Sequence, residues 1–173
     1  MTSDFAAEVV QWQSAYILIG GMAATLTGLL FVAVSINLRT IITRANNAAT
    51  RTLIQFLLII ELSIVFQIPG QSAVTLGASV LLLSLFALAT VVYSARRGHG
   101  RRPPPIRELV PSFLLFLAFV VVGALIMTGS FDLLFVMVSL VIMTMISAVF
   151  SAWALLVEAD VEDDESGDVP QSS

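Results

Sequence analysis

Five long apolar runs, separated by short polar or turn-forming segments, set the pattern of this chain. They predict helices over about 15–38, 52–68, 73–94, 109–128 and 131–157. At 1.5 Å rise per residue each is near the ~20 residues needed to cross ~30 Å of hydrocarbon. The expected fold class is therefore an all-α integral membrane protein, a bundle of about five transmembrane helices filling 15–157. Pro69-Gly70-Gln71-Ser72 is a tight turn signal, and Gly129-Ser130 separates the last two runs. The second and third helices, and the fourth and fifth, then form antiparallel hairpins. Pro111 falls in the first turn of the fourth, where its missing N–H is tolerated.

Two flanking segments differ from these runs. In 1–14, Phe5, Val9 and Trp12 share one helical face with Tyr16, while Asp4, Glu8 and Gln11 lie largely away from it. Either a short interfacial amphipathic helix or the start of the first membrane helix fits that pattern. The tail, 158–173, is acidic and almost without aromatics, so disorder is expected.

Composition supports the membrane reading. Of 173 residues, 58% are hydrophobic and only 12% charged, and the mean hydropathy is +0.98. Soluble domains carry about a quarter charged residues. Cysteine is absent, which excludes disulfides and thiolate chemistry, and a single histidine leaves little room for imidazole chemistry. Asp4 and Glu8 stand where the basic region of a cleaved signal peptide is expected.

Arginine placement gives an orientation. Arg39, Arg44 and Arg51 lie between the first two helices, and Arg96, Arg97, Arg101, Arg102 and Arg107 between the third and fourth. The other two connections and 1–14 contain no basic residue. The positive-inside rule makes both arginine-bearing loops cytoplasmic, with the N-terminus outside and the tail inside. Arg96, Arg97, Arg101 and Arg102 are expected to contact anionic headgroups, at about 1 kcal/mol each. His99, between two glycines, lacks co-ligands, and the loop lacks the aromatic interleaving of a nucleic-acid surface.

Glu61 is the charged residue in the middle of the second helix, in QFLLIIELSIVFQ, where Gln55, Ser63 and Gln67 are also polar. The apolar residues of that helix contribute roughly −6 kcal/mol to insertion, against about +3 for an acid at the centre. The helix still inserts, and Glu61 is expected to face the bundle or a water-filled cavity. No Lys, Arg or His lies in any predicted span. Three roles stay open for Glu61: a protonated hydrogen-bond donor to a neighbouring hydroxyl, a transient proton or cation site, or a carboxylate ring across an oligomer axis.

Small residues mark expected packing seams. Gly20, Ala24 and Gly28 recur at four-residue spacing in the first helix, and Thr144, Ala148 and Ala152 mark a comparable face in the fifth. Packing within the chain is the first expectation, and self-association the second. Gly77, Ser84, Ala87 and Ser94 form a weaker stripe in the third helix. Asp132 opens the fifth helix, where a carboxylate suits the N-terminus.

Enzyme signatures are missing: the sequence contains no HExxH and no P-loop. Gly77-Ala78-Ser79 looks superficially like a rhomboid serine motif, yet a nucleophilic serine needs a nearby base and no span supplies one. No enzyme, metal or cofactor is expected.

TGLLFVAVSINL, followed by Arg39 and later by Ile68-Pro69-Gly70-Gln71, resembles a group of small, mostly uncharacterised bacterial multi-pass membrane proteins. Some similar chains are labelled modulators of a membrane AAA protease. The resemblance covers about the first seventy residues and implies a bacterial inner-membrane protein of about five spans. It brings no catalytic or binding residues. The expected function is a non-enzymatic accessory or assembly protein, with the lipid bilayer, a membrane protein partner or a second copy as its contacts. The alternative is an oligomeric ion channel or proton-coupled transporter that uses Glu61.

Overall fold

The computed structural model describes residues 2–36, 46–97, 106–129 and 132–167. Their secondary structure is all helical: α1 (Thr2–Ile36), α2 (Asn46–Gln67), α3 (Ala73–Arg97), α4 (Ile106–Ile126) and α5 (Asp132–Gly167). Four of the five contain stretches long and apolar enough to cross a membrane, namely Ala7–Ile36, Ala49–Gln67, Ala73–Tyr93 and Asp132–Ala154. The apolar stretch of α4, Val110–Ile126, is shorter. α4 also begins before the predicted start, which moves Pro111 beyond the first turn.

Both flanking segments are absorbed into helices. α1 runs unbroken through 1–14 from Thr2, because Phe5, Val9, Trp12 and Tyr16 continue the same buried seam that serves the rest of the helix. α5 continues to Gly167 instead of ending at Val157 as expected. Extending an existing helix avoids the nucleation cost that an isolated acidic segment would face. Residues 168–173 lie outside the described ones.

The helix ends follow local chemistry. Gly70 takes a φ of 70°, a left-handed conformation that favours glycine, and so closes the α2–α3 turn. Gln71 donates its amide to the Val65 carbonyl at the end of α2, which also accepts from the Ile68 N–H at 3.2 Å. Ser72 and Thr75 cap α3 reciprocally: the Thr75 N–H donates to Ser72 Oγ at 3.2 Å, and the Ser72 N–H to Thr75 Oγ1 at 2.9 Å. Gly129, at φ 83°, ends α4 while its N–H donates to the Ile126 carbonyl at 2.9 Å.

α2 is the hub. It packs against α1, α3 and α5, while α3 pairs with α4 and α4 with α5. Of the four long apolar stretches, that of α2 is the most enclosed and that of α1 the least. The seam of α1 is formed by Phe5, Val9, Trp12, Tyr16, Ile19, Ala23, Leu26 and Leu30. Their alternating spacings of four and three are the 3.5-residue repeat that keeps one stripe against a partner helix.

That repeat decides the fate of the expected Gly20–Ala24–Gly28 seam. A four-residue step advances about 40° around a helix, so a four-residue stripe drifts off a 3.5-residue seam. Gly20 remains at the contact, where an added Cβ would lie 2.6 Å from Ser63 Cβ. Ala24 is exposed, and a Cβ on Gly28 would meet nothing within 4 Å. In α5 the predicted face is turned inward: Thr144 and Ala148 are buried and Ala152 packs on the core. Gly20→Ala is therefore expected to destabilise the α1–α2 pair by about 1–3 kcal/mol, the usual cost of overpacking. Adding Ser63→Gly should restore most of the loss, a double-mutant cycle read by unfolding in detergent.

The tightest approach joins α3 to α4. A Cβ on Gly77 would lie 2.6 Å from the Gly123 carbonyl oxygen and 2.9 Å from the Met127 nitrogen. The stripe in α3 is thus used, with Ser84 and Ala87 also buried.

The core is apolar with a few enclosed polar side chains, and the exterior is apolar as well. Thr52, Gln55, Ser63, Ser84 and Thr144 are buried, whereas Leu82, Phe86, Phe135, Phe150 and Trp153 are exposed. Contiguous exposed apolar surface of this kind marks contact with lipid or with another protein.

Candidate functional site

Around α2 the side chains divide into two arcs. Thr52, Gln55, Phe56, Ile59, Leu62, Ser63 and Phe66 fill the inner one. Leu57 and Ile64 are exposed, at 43% and 61%. Glu61 follows Leu57 by four residues and precedes Ile64 by three, so all three share a helical face. The Glu61 side chain is accordingly partly exposed, at the border between the outward face and the packed one. The expected place is the bundle or a water-filled cavity; the side chain stands at the edge of the packed face, neither enclosed nor fully exposed. The reason is steric: the inner arc is occupied by large apolar side chains that meet α1, α3 and α5.

Among the described residues none hydrogen-bonds or ion-pairs with Glu61. Arg51 lies about 15 Å away along the same helix. The enclosed hydroxyls of Ser63, Ser84 and Thr144 are committed to their own helices. Ser63 donates to the Ile59 carbonyl at 2.8 Å, Ser84 to Val80 at 2.6 Å and Thr144 to Leu140 at 2.7 Å. Among the described residues no group of three His, Cys, Asp or Glu side chains could hold a metal ion. The carboxyl therefore stands without a partner from the described chain, with apolar neighbours on its helical face.

A second polar feature closes the end of the bundle where α1 begins and α2 stops. Gln13 donates to the Phe66 carbonyl at 3.2 Å, and Gln67 donates to the Gln13 carbonyl at 3.1 Å. Between them Tyr16 stacks on Phe66, with ring centroids 3.7 Å apart, and Trp12 meets Phe135 of α5 edge-on. This clamp fixes the rotation of α1 against α2 and so fixes which face of α2 remains uncovered. Among the described residues, Tyr16 Oη, Gln55 Oε1 and Gln71 Oε1 are buried without a hydrogen-bond partner.

Several of these residues escaped the sequence reading. Gln13 and Gln67 had a usable signal, since each flanks an apolar run at the end where the two helices meet. Gln55 follows Thr52 by three residues on one side of α2, a weaker sign. Gly123 had none that separates it from the other glycines. Of the predicted headgroup contacts, Arg96 and Arg97 end α3, while Arg101 and Arg102 lie outside the described residues. Asp132 is exposed in the first turn of α5. On the outer side of α1 a shallow apolar groove runs along Ile17, Gly21 and Thr25, with no charged group in it.

Compared with known protein families, with curated proteins and with solved structures, the chain matches none.

Proposed function

We propose that this chain is a non-enzymatic, multi-pass protein of the bacterial inner membrane, an accessory or assembly protein that presents the Glu61 face of α2 to another membrane helix. The observation that carries the reading is a partly exposed carboxyl, without a partner among the described residues, at the edge of the apolar outward face of the central helix. In hydrocarbon such a group costs about 2.5–3.5 kcal/mol, and a covering helix that donates a hydrogen bond or brings a cation removes much of that cost.

Membrane placement is supported by the four long apolar helices and by the apolar exterior. The apolar stretch of α4, Val110–Ile126, covers about 25 Å at 1.5 Å rise, the lower limit for a fifth crossing. With five crossings, the arginines at 39–51 and at 96–107 fall on one side, which the positive-inside rule makes cytoplasmic. The N-terminus is then external, and the acidic end of the chain is cytoplasmic. Anionic headgroups and a membrane protein partner are the contacts this arrangement favours.

A second reading draws on the same carboxyl. If copies of the chain assemble around the Glu61 face, they bring carboxyls together, the arrangement of a cation-selective pathway. Flux of protons and monovalent cations in proteoliposomes separates the two. The accessory reading expects the native chain to conduct no more than empty liposomes. Flux that falls on Glu61→Gln, at matched reconstitution, would replace it with the transport reading.

A further inference from the structure

The chain holds no counter-charge at the depth of its own Glu61. All eight basic side chains are arginines, at 39–51 and 96–107, and the one histidine is His99. Measured along α2, Glu61 stands about 9 Å from the end at Gln67 and about 15 Å from Arg51. Arg96 and Arg97 end α3, about 35 Å along it from the same turn, and Arg107 precedes the apolar stretch of α4. A second copy inserted in the same orientation carries its arginines at these same depths, out of reach of Glu61. Its own Glu61 would add a like charge.

The surface beside Glu61 has the form of a helix seat. Leu57, Glu61, Ile64 and Ile68 follow one another at spacings of four, three and four, the same 3.5-residue repeat as the inner seam of α1. Leu57, Ile64 and Ile68 are exposed, and Glu61 lies at the edge of their row. A helix seated along this row sets one side chain opposite the carboxyl and apolar ones opposite the rest. Charge complementarity then selects that one side chain. A carboxylate and a basic group are each costly in hydrocarbon, and pairing relieves both, whereas a neutral donor relieves the acid alone.

We infer, on the reading that a helix docks at the Glu61 face, that this helix belongs to a different protein and carries a lysine or arginine near mid-membrane. The rest of its contact row is apolar. A second copy of this chain is excluded from the role, because none of its spans places a basic residue at that depth.

Leucine-rich transmembrane peptides with a single central Lys, Asn or Leu test this pairing, reconstituted with the full chain in phosphatidylcholine vesicles and read by energy transfer. The chain contains no lysine, so an amine-reactive dye marks its N-terminus alone. The Lys peptide should bind about tenfold more tightly than the Leu peptide, and more tightly than the Asn peptide. Glu61→Leu should erase that preference, and Glu61→Lys should transfer it to a peptide with a central Glu. Equal binding of the Lys and Asn peptides to the native chain would overturn the basic partner while leaving a docked helix in place. Equal binding of all three would overturn it too, and cross-linking from Ile64 in native membranes then reads separately whether any protein covers the face. If a Glu61 variant does not fold, the three peptides on the native chain decide alone.

Discussion

Gly77→Ala is expected to lower the stability of the bundle by about 1–3 kcal/mol, at the upper end of what one added methyl does. The new Cβ would sit 2.6 Å from the Gly123 carbonyl oxygen, 2.6 Å from Met127 Cγ and 2.9 Å from the Met127 nitrogen. Met127 Cγ belongs to a flexible side chain and can move away. The other two atoms are backbone, so α3 and α4 must separate and give up contacts along their whole shared length. Met127→Ala should therefore rescue Gly77→Ala only slightly. Gly21→Ala and Gly28→Ala supply the contrast, because a Cβ there meets nothing within 4 Å. Both should stay within about 1 kcal/mol of the native protein, the scale of helix propensity alone. Thermal or denaturant unfolding of the purified variants in one detergent checks the ranking. Equal stability of Gly77→Ala and Gly21→Ala would contradict the α3–α4 packing described above.

Glu61→Leu has the second large expected effect, and its sign is informative. A carboxyl held by hydrogen bonds inside the bundle would be missed, and its loss would destabilise the fold. A carboxyl on an outward apolar face behaves in the opposite way. Replacing an insertion term of about +3 kcal/mol with a leucine near −0.5 favours insertion of α2 and should leave the isolated chain at least as stable as the native one. Association through that face should weaken at the same time. Unfolding of the solubilised chain reads the first effect, and cross-linking in native membranes reads the second. Loss of stability in the isolated chain would return Glu61 to an internal structural role.

The sequence was most informative where chain geometry is local. Among the described residues the five apolar runs lie in helices, and the turns at Pro69-Gly70 and Gly129 lie where those residues predicted them. Four of the helices are long and apolar enough to span a membrane, and α4 has the shorter stretch. Helix rotation was harder to read. α1 is apolar on nearly every side, so no polar face orients it. Its seam is set by Tyr16 stacking on Phe66 and by the Gln13–Gln67 clamp, contacts between residues far apart in sequence. The same holds for Glu61, whose place at the edge of the packed face depends on three neighbouring helices filling the rest of α2. Gly77 was visible as part of a weak stripe, but its partner Gly123 emerges only when α3 and α4 are brought together.

Site-specific photo-cross-linking in native membranes tests the central claim, that the Glu61 face of α2 is covered by another protein. The probe is placed at Ile64, one turn from Glu61 and 61% exposed, and for comparison at Phe86 of α3, 70% exposed. The account predicts protein adducts from Ile64 that disappear with Glu61→Leu, and only lipid adducts from Phe86. Lipid adducts alone from Ile64, matching those from Phe86, would contradict it and leave Glu61 facing hydrocarbon without a partner.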